Sequence, residues 1–324
     1  MKNKIKFLIV STIQRSGGSI VLHYLCKLLI DKGYNAKIFL LENSNCTKEK
    51  YTNILKFWGT HCIFIIKCFI KSIISSWFIN QDNYTTRYAG FYYKPVKGVK
   101  IKYLPFYDKK NTVVVYPEIV YGNFLKAKNV VRWLLFYNRY TNDTEAFDNR
   151  DLFFAYREIF NDKRLNPLNR IFCLHYYDLD LYKQTNFSDR NGVCYVIRKG
   201  RDRDDLPNFF DGPIIDDFSE FKIVETFNKC KYCILYDTQT AYGSIAALCG
   251  CIPIVMPEEG KRREDYCSNG EKRYGIAFGN SREEIDWAVN TRGKLIESFK
   301  KNINDDYNQV NNFISLCFKY FNMA

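Results

Sequence analysis

Two adjacent cations, Arg198 and Lys199, follow a short apolar run at residues 193–197 (VCYVI). Such a run predicts a buried strand, and ligands of open α/β sheets bind at the carboxyl ends of strands. Paired cations at a strand end suit a diphosphate group, whose charge they neutralise. Simple surface charge is the alternative interpretation, since Arg201 and Arg203 follow.

A second polar stretch, residues 236–244 (YDTQTAYGS), stands between a predicted strand and a predicted helix. Its carboxylate can accept hydrogen bonds from ribose hydroxyls, and its hydroxyls and unpaired first-turn amides can bind phosphate. A plain helix cap without any ligand is the alternative. The residues that we predict for the ribose and phosphate groups are Asp237, Thr240, Tyr242, Gly243 and Ser244.

Gly17 and Gly18 stand between the first predicted strand and the first predicted helix. Glycine lets a ligand approach the backbone closely, and the amides of a helix N-terminus favour anions. We therefore predict that both glycines contribute to diphosphate binding, with a tight turn as the alternative. The segment is not G-x-G-x-x-G and has no Walker lysine, so it does not indicate dinucleotide or ATP binding.

These candidates need two sheets of parallel strands to position them. A strand, a glycine turn, a helix, a glycine stop and a second strand form a βαβ unit within residues 6–41. The remaining predicted strands are 112–116, 170–175, 193–197, 232–236 and 252–256. The predicted helices are 20–30, 54–79, 127–137, 218–230, 240–248, 282–289 and 305–321. A polar stretch at 183–191 reads as a linker.

The second half of the sequence resembles the donor domain of GT-B glycosyltransferases. The resemblance rests on the order of Arg198-Lys199-Gly200, an acidic strand end and the segment 246–255 (AALCGCIPIV). The opening segment 7–40 resembles the acceptor domain of the same family. This resemblance implies an α/β fold with two Rossmann-like domains facing across a cleft, at residues 1–185 and 192–324. It further implies a hexosyltransferase that moves a sugar from a nucleoside-diphosphate sugar to a glycan or lipid-linked glycan, as in surface polysaccharide synthesis.

The sequence departs from the family at one motif. Many retaining members carry Glu-x7-Glu before the strand that precedes Met256, but Thr238 and Ala246 occupy those two positions here. Asp237 is expected to take over the ribose contact. The stereochemical outcome is left open by this difference.

An inverting transfer also needs a base for the acceptor hydroxyl. Glu118, after the strand at 112–116, is the first candidate and His175 is the second. Glu258 is expected to contact the sugar. No cofactor and no metal are expected, although Asp178-Leu179-Asp180 allows a GT-A-like metal site as an alternative.

The charge is unevenly distributed. Residues 1–185 carry 29 Lys and Arg against 14 Asp and Glu, whereas residues 186–324 carry 19 against 21. A basic first half favours an anionic membrane surface or acceptor, and no nucleic-acid-binding motif is present. Because the N-terminus lacks the features of a signal peptide, we expect a cytoplasmic protein at the inner membrane face. An apolar helix at 54–79 with several lysines suits that interface, with a core helix as the alternative.

Two other functions fit the same pattern. The missing glutamates favour a nucleotide- or glycan-binding protein without catalytic activity. A UDP-sugar epimerase with the same two-domain plan would act on the donor without any acceptor.

Overall fold

The computed structural model describes residues 4–13, 16–42, 46–78, 96, 98–238, 240–266 and 273–323. The chain forms two compact units. Unit 1 comprises Met1–Tyr176 with Ile303–Ala324, and unit 2 comprises Tyr177–Asn302.

Unit 1 contains a six-stranded sheet in which all strand pairs are parallel. Its strands and helices are β1 Lys6–Thr12, α1 Gly17–Asp31, β2 Asn35–Leu41, α2 Lys48–Thr52, α3 Ile54–Phe78, β3 Ile101–Lys102, β4 Thr112–Pro117, β5 Asn129–Leu134 and β6 Leu152–Ala155. The strand order β3-β2-β1-β4-β5-β6 is that of a doubly wound sheet, with its switch point between β1 and β4.

Both faces of this sheet are covered, which explains the continuous apolar runs of its strands. Along β1, Phe7 and Ile9 belong to one buried cluster, whereas Leu8 and Val10 belong to another. The first helix ends as predicted, because Gly33 follows it with a φ of +85°, a conformation that glycine adopts without strain.

Residues 127–137 were expected to form a helix, and that prediction is wrong. They contain β5, and every residue from Asn129 to Leu134 is buried. The internal charge of Arg132 gave the segment a helix-like pattern, but this side chain is itself buried. It donates to the Asp151 carboxylate at 2.7 Å and to the carbonyls of Val120 and Gly122 at 3.0 and 2.7 Å.

Residues 170–175 do not form a strand either. Ile171 makes an isolated bridge with Ala155. The strand that pairs with β5 at this side of the sheet is β6, which was not predicted. β6 has only four residues, too few for an alternation pattern to stand out.

Unit 2 contains a four-stranded parallel sheet in the order β10-β9-β8-β7. Its elements are β7 Val193–Val196, α4 Glu220–Lys229, β8 Tyr232–Leu235, α5 Tyr242–Leu248, β9 Ile252–Val255, α6 Arg263–Tyr266, β10 Ala277–Phe278 and the first part of α7 Arg282–Tyr320. Cys194, Cys230, Cys233 and Cys251 share the core of this unit. Burial raises the pKa of the Cys233 thiol, as expected for a structural cysteine.

Helix α7 begins where the sequence predicted but is far longer. The Ser281 hydroxyl accepts from the Glu284 N–H at 3.3 Å, while the Glu284 carboxylate accepts from the Phe278 N–H at 2.9 Å. Ser281 and Glu284 have the spacing of a capping box, and the Ser281 half of that motif is present. The helix then continues to Tyr320.

The division of the chain differs from the predicted domains 1–185 and 192–324. The last part of α7 returns to unit 1, because Val310, Phe313 and Cys317 are buried in its core. Phe313 stacks on Phe172 with ring centres 4.7 Å apart. Two Rossmann-like α/β domains are confirmed by the two parallel sheets, and their arrangement across a cleft stays a prediction.

Candidate functional site

Arg198 lies directly after β7, in a 3₁₀ turn formed by Arg198–Gly200. Its φ is +37°, which is unfavourable for arginine. The Asp216 carboxylate holds this turn by accepting the N–H groups of Ile197 and Arg198 at 3.1 and 2.7 Å. A strained residue that is held in this way is a recognised feature of functional sites.

The turn also packs tightly against the end of the next strand. A Cβ atom on Gly200 would lie 2.5 Å from the Tyr236 carbonyl oxygen, so only glycine fits there. The Arg198 guanidinium lies 5.2 Å from the centre of the Tyr242 ring, within range of a cation–π contact. Two residues predicted for the same site are thus brought together.

Arg198 and Lys199 are exposed, and neither forms an ion pair with a carboxylate in the part of the chain that the structure describes. Their neighbours differ. Arg201 lies 3.6 Å from Asp216, and Arg203 pairs with Asp205. The two predicted cations therefore keep their charge available for an anion.

The acidic end of β8 is built as a buried turn. Asp237 is only 4% exposed, and its carbonyl accepts from the Thr240 N–H at 3.4 Å. The Thr240 hydroxyl in turn accepts from the Tyr242 N–H at 3.3 Å. Ser244 is partly exposed in α5, whereas Gly243 is buried, and a Cβ atom there would lie 3.3 Å from Ile276. Packing therefore explains Gly243 without any ligand.

Arg203 is a residue that sequence reasoning missed. Its guanidinium donates to the carbonyls of Met256 at 2.8 Å, Tyr236 at 3.2 Å and Pro257 at 3.2 Å. These carbonyls lie at the carboxyl ends of β8 and β9, so one side chain joins both strand ends. Nothing in the run of basic residues at 198–203 distinguishes this partly buried arginine from the exposed Arg198, Lys199 and Arg201.

A cavity of about 990 Å³ lies beside the ends of β9 and β10 and the start of α7, within the described part of unit 2. Pro257, Lys261 and Arg262 line one part of it, and Phe278 and Trp287 line another. Its volume is at the upper end of the range for small-molecule sites. This cavity could not be predicted from the sequence, because its aromatic and basic residues come from separate elements.

Two arginines contact the aromatic residues of the cavity, whose lining also includes Glu264, Glu283, Glu284 and Asp286. The Arg263 guanidinium lies 4.9 Å from the Trp287 ring centre and pairs with Glu284. The Arg273 guanidinium lies 5.2 Å from the Phe278 ring centre. Glu258 is exposed on a turn in which its carbonyl accepts from the Lys261 N–H at 3.0 Å, and it is next to the cavity-lining Pro257.

In unit 1, Gly17 and Gly18 form the first turn of α1, directly after β1. The Ser16 hydroxyl caps this helix by accepting from the Ser19 N–H at 3.1 Å. A Cβ atom on Gly18 would lie 3.3 Å from Leu135, whereas no atom of the described residues lies within 4 Å of one on Gly17. Close packing explains Gly18, and no described residue fills the space beside Gly17.

Glu118 follows β4, on the other side of the switch point in the same sheet. Its carboxylate accepts from the Leu135 N–H at 2.9 Å and so joins the ends of β4 and β5. Burial raises the pKa of this carboxyl, although backbone hydrogen bonds oppose the shift. With only 5% of the residue exposed, the carboxylate has a clear structural role, and its use as a base stays a prediction.

His175 lies between a thiol and a buried carboxylate of unit 1. Its Nε2 atom is 3.3 Å from the Cys173 sulfur, and its Nδ1 atom is 3.3 Å from the Asp306 carboxylate. Burial disfavours the imidazolium, but the contacts with Asp306 and Cys173 outweigh it and raise the pKa of His175 to about 10. A histidine that is protonated at neutral pH is poorly suited to remove a proton from an acceptor hydroxyl.

The carboxylates considered for a metal site lie in ordinary turns. Asp178 accepts from the Leu181 N–H at 3.1 Å. Among the described residues, no group of His, Cys, Asp and Glu side chains is arranged to hold a metal ion.

No protein-family model and no curated protein sequence matches the chain. Similar solved structures include a glycosyltransferase from Rickettsia africae ESF-5, with a TM-score of 0.47 at 10% identity, covering 99% of this chain and 100% of that chain. An alpha-glucosyltransferase in complex with UDP and DNA gives a TM-score of 0.41 at 11% identity, covering 98% of each chain. A UDP-N-acetylglucosamine 2-epimerase gives 0.40 at 10% identity, covering 99% of this chain and 97% of that chain. All three TM-scores lie below 0.5, and a likeness of that degree does not assign a function.

Proposed function

We propose that the chain is a glycosyltransferase that binds a nucleoside-diphosphate sugar at the carboxyl ends of the strands in unit 2. The observation that carries this proposal is the placement of Arg198. Its backbone is held in a strained conformation by Asp216, its guanidinium lies against Tyr242, and its charge has no carboxylate partner among the described residues. Together with Lys199, it offers two cations to a diphosphate.

The other groups of the site fit the remainder of such a donor. Asp237 and Thr240 lie at the end of β8, next to Tyr242, where they are proposed to contact ribose and phosphate. The adjacent cavity offers Trp287 and Phe278 as apolar surfaces and Lys261 as a cation. Flat aromatic surfaces next to cations suit a nucleobase or sugar ring.

A screen of donors tests this proposal. Ligands that bind only the folded protein raise its melting temperature by mass action. We expect a UDP-, GDP- or dTDP-sugar to do so, and the same screen with and without Mn²⁺ tests the expected independence from metal. No shift with any of these donors would contradict the proposal.

The acceptor is proposed to be a glycan or lipid-linked glycan, which a membrane-facing unit 1 would meet in surface polysaccharide synthesis. Helix α3 exposes Ile63, Ile66 and Phe69, with Lys67 among them. Apolar side chains beside a cation favour an interface with anionic lipid. Among the residues that the structure describes, no helix is both long and apolar enough to cross a bilayer. Co-sedimentation with anionic vesicles, compared between the wild type and Phe69→Ser, tests the membrane contact.

One observation favours a second candidate, a nucleotide-sugar-binding protein without transferase activity. Glu118 is buried and accepts a backbone N–H, and the pKa of His175 is raised to about 10, so neither predicted base is readily available. Slow release of free nucleoside diphosphate from the bound donor would support the transferase. Binding without any turnover would support the second candidate, and conversion of the donor sugar itself would instead indicate an epimerase.

A further inference from the structure

The segment at residues 172–175 of unit 1 alternates between the core and the surface. Phe172 stacks between Trp133 and Phe313, with ring centres 4.6 and 4.7 Å away, and Leu174 is completely buried. Cys173 and His175 are both partly exposed. Because alternate residues of an extended chain point to the same side, the packed residues place the thiol next to the imidazole.

Helix α7 fixes this segment from the other side. The Asp306 carboxylate accepts from the His175 N–H at 2.9 Å with one oxygen and contacts His175 Nδ1 at 3.3 Å with the other. The side-chain carbonyl of Gln309 accepts from the Cys173 N–H at 3.1 Å. Asp306 is fully buried, so the ring that it orients is held firmly.

Thiol, imidazole and carboxylate therefore stand in series. His175 Nε2 lies 3.3 Å from the sulfur and His175 Nδ1 lies 3.3 Å from the carboxylate. In an activated nucleophile, a base lies within hydrogen-bond reach of the nucleophile and is itself oriented by a third group. This arrangement has that form, and neither the sugar-nucleotide site nor the sequence motifs account for it.

We propose that Cys173 is a reactive cysteine whose proton already resides on His175, so that a thiolate lies against an imidazolium and is modified by small electrophiles such as hydroperoxides. The thiolate sulfur attacks one peroxide oxygen, so that an S–O bond forms as the O–O bond breaks. The leaving alkoxide takes the proton from His175. The sulfur is oxidised to a sulfenic acid, and the peroxide is reduced to an alcohol or, for hydrogen peroxide, to water.

The surroundings of His175 favour its charged form. The contacts with Asp306 and Cys173 raise the pKa of His175 to about 10 in spite of its burial, and an imidazolium stabilises a neighbouring thiolate. The Tyr24 hydroxyl bonds to the Asp306 carboxylate, and the phenols of Tyr176 and Tyr307 lie near Tyr24. Burial and Asp306 raise the pKa of Tyr24, so this phenol stays neutral throughout the pH range of the test.

The chain supplies its own control for the test. Cys62 is exposed on α3, whereas the other cysteines in the described ranges, apart from Cys173, are buried. Iodoacetamide alkylation is followed at each cysteine of the full chain by peptide mass spectrometry, so that Cys173 and Cys62 are measured in one sample. The thiolate reacts, so an ordinary thiol loses nearly all of its rate between pH 8 and pH 6, roughly 100-fold.

We expect the rate at Cys173 to fall by less than about fivefold over the same interval. His175→Gln and Asp306→Asn are each expected to make the pH profile of Cys173 resemble that of Cys62. Equimolar hydroperoxide followed by dimedone should label Cys173 and leave Cys62 unlabelled. Parallel pH profiles of Cys173 and Cys62 in the wild type would overturn the proposal, as would the absence of a dimedone adduct on Cys173. The wild-type comparison stands even where a variant fails to fold.

Discussion

Replacing Arg203 with alanine would show whether a single side chain organises the carboxyl ends of β8 and β9. The guanidinium donates to three backbone carbonyls at 2.8, 3.2 and 3.2 Å, and its side chain is only 12% exposed. Hydrogen bonds from a charged donor contribute about 1.5–3 kcal/mol each when the acceptor would otherwise stay unsatisfied. Water will reach some of these carbonyls in the variant, so we expect a loss of about 3 kcal/mol rather than the full sum.

Denaturant unfolding measures this loss, and hydrogen exchange of peptides that contain β8 and β9 localises it to unit 2. Arg201→Ala is the matched control, because Arg201 is 64% exposed and lies 3.6 Å from its partner Asp216. An exposed pair of this kind contributes about 0–1 kcal/mol. Arg203→Lys is expected to recover only part of the loss, since one ammonium cannot reproduce the planar fork that joins two strand ends.

The reasoning on Arg203 fails if Arg203→Ala and Arg201→Ala lower the free energy of unfolding equally. It also fails if amide protection of β8 and β9 is unchanged in Arg203→Ala. A loss confined to those two strands would confirm that this arginine holds the site's framework.

Three further predictions concern unit 1 and the turn after β7. Arg132→Met should lower the free energy of unfolding by about 3–5 kcal/mol, because it leaves a buried carboxylate unpaired. Arg150→Met, at an 85%-exposed side chain, should lower it by less than about 1 kcal/mol. Similar losses in the two variants, measured by denaturant unfolding, would contradict this prediction. Gly200→Ala should lower the melting temperature strongly, because its Cβ would lie 2.5 Å from the Tyr236 carbonyl oxygen. Gly17→Ala would meet no atom of the described residues within 4 Å and should leave the melting temperature unchanged or raise it. The folded-state pKa of His175 is raised to about 10, above its ordinary value of 6.5, so its contribution to stability is complete below pH 6.5 and is lost as the pH rises towards 10. His175→Gln should remove that part of the pH dependence of unfolding, and an unchanged profile would contradict it.

Most strands predicted from apolar runs are present, and the run at 170–175 is an exception. β4, β7, β8 and β9 lie within one or two residues of the predicted bounds, and β1 and β2 lie within the predicted unit at residues 6–41. The failure at β5 has a physical cause, because a buried arginine that satisfies two carbonyls and a carboxylate looks like a polar helix position in sequence. Its partners come from residues 120, 122 and 151, and no local pattern predicts them.

Part of the candidate site was predictable from the positions of the strand ends. Arg198 and Tyr242 follow neighbouring strands of a parallel sheet, and the Arg198 guanidinium lies 5.2 Å from the Tyr242 ring centre. The roles of Arg203 and Trp287 could not be predicted, because they depend on contacts between elements far apart in the chain. The same holds for Cys173, His175 and Asp306, where a helix returning from the C-terminus supplies the carboxylate.

Titration calorimetry of a nucleotide sugar into the wild type, Arg198→Ala and Arg157→Ala tests the central claim most directly. Arg157 is the matched control, since it is an exposed arginine of unit 1 that lies 6.0 Å from the Tyr156 ring centre. A charge-assisted contact to the diphosphate contributes about 1.5–3 kcal/mol. Arg198→Ala should therefore raise the dissociation constant roughly tenfold to a hundredfold, while Arg157→Ala should leave it unchanged. Equal affinity of the wild type and Arg198→Ala would contradict the assignment of the donor site.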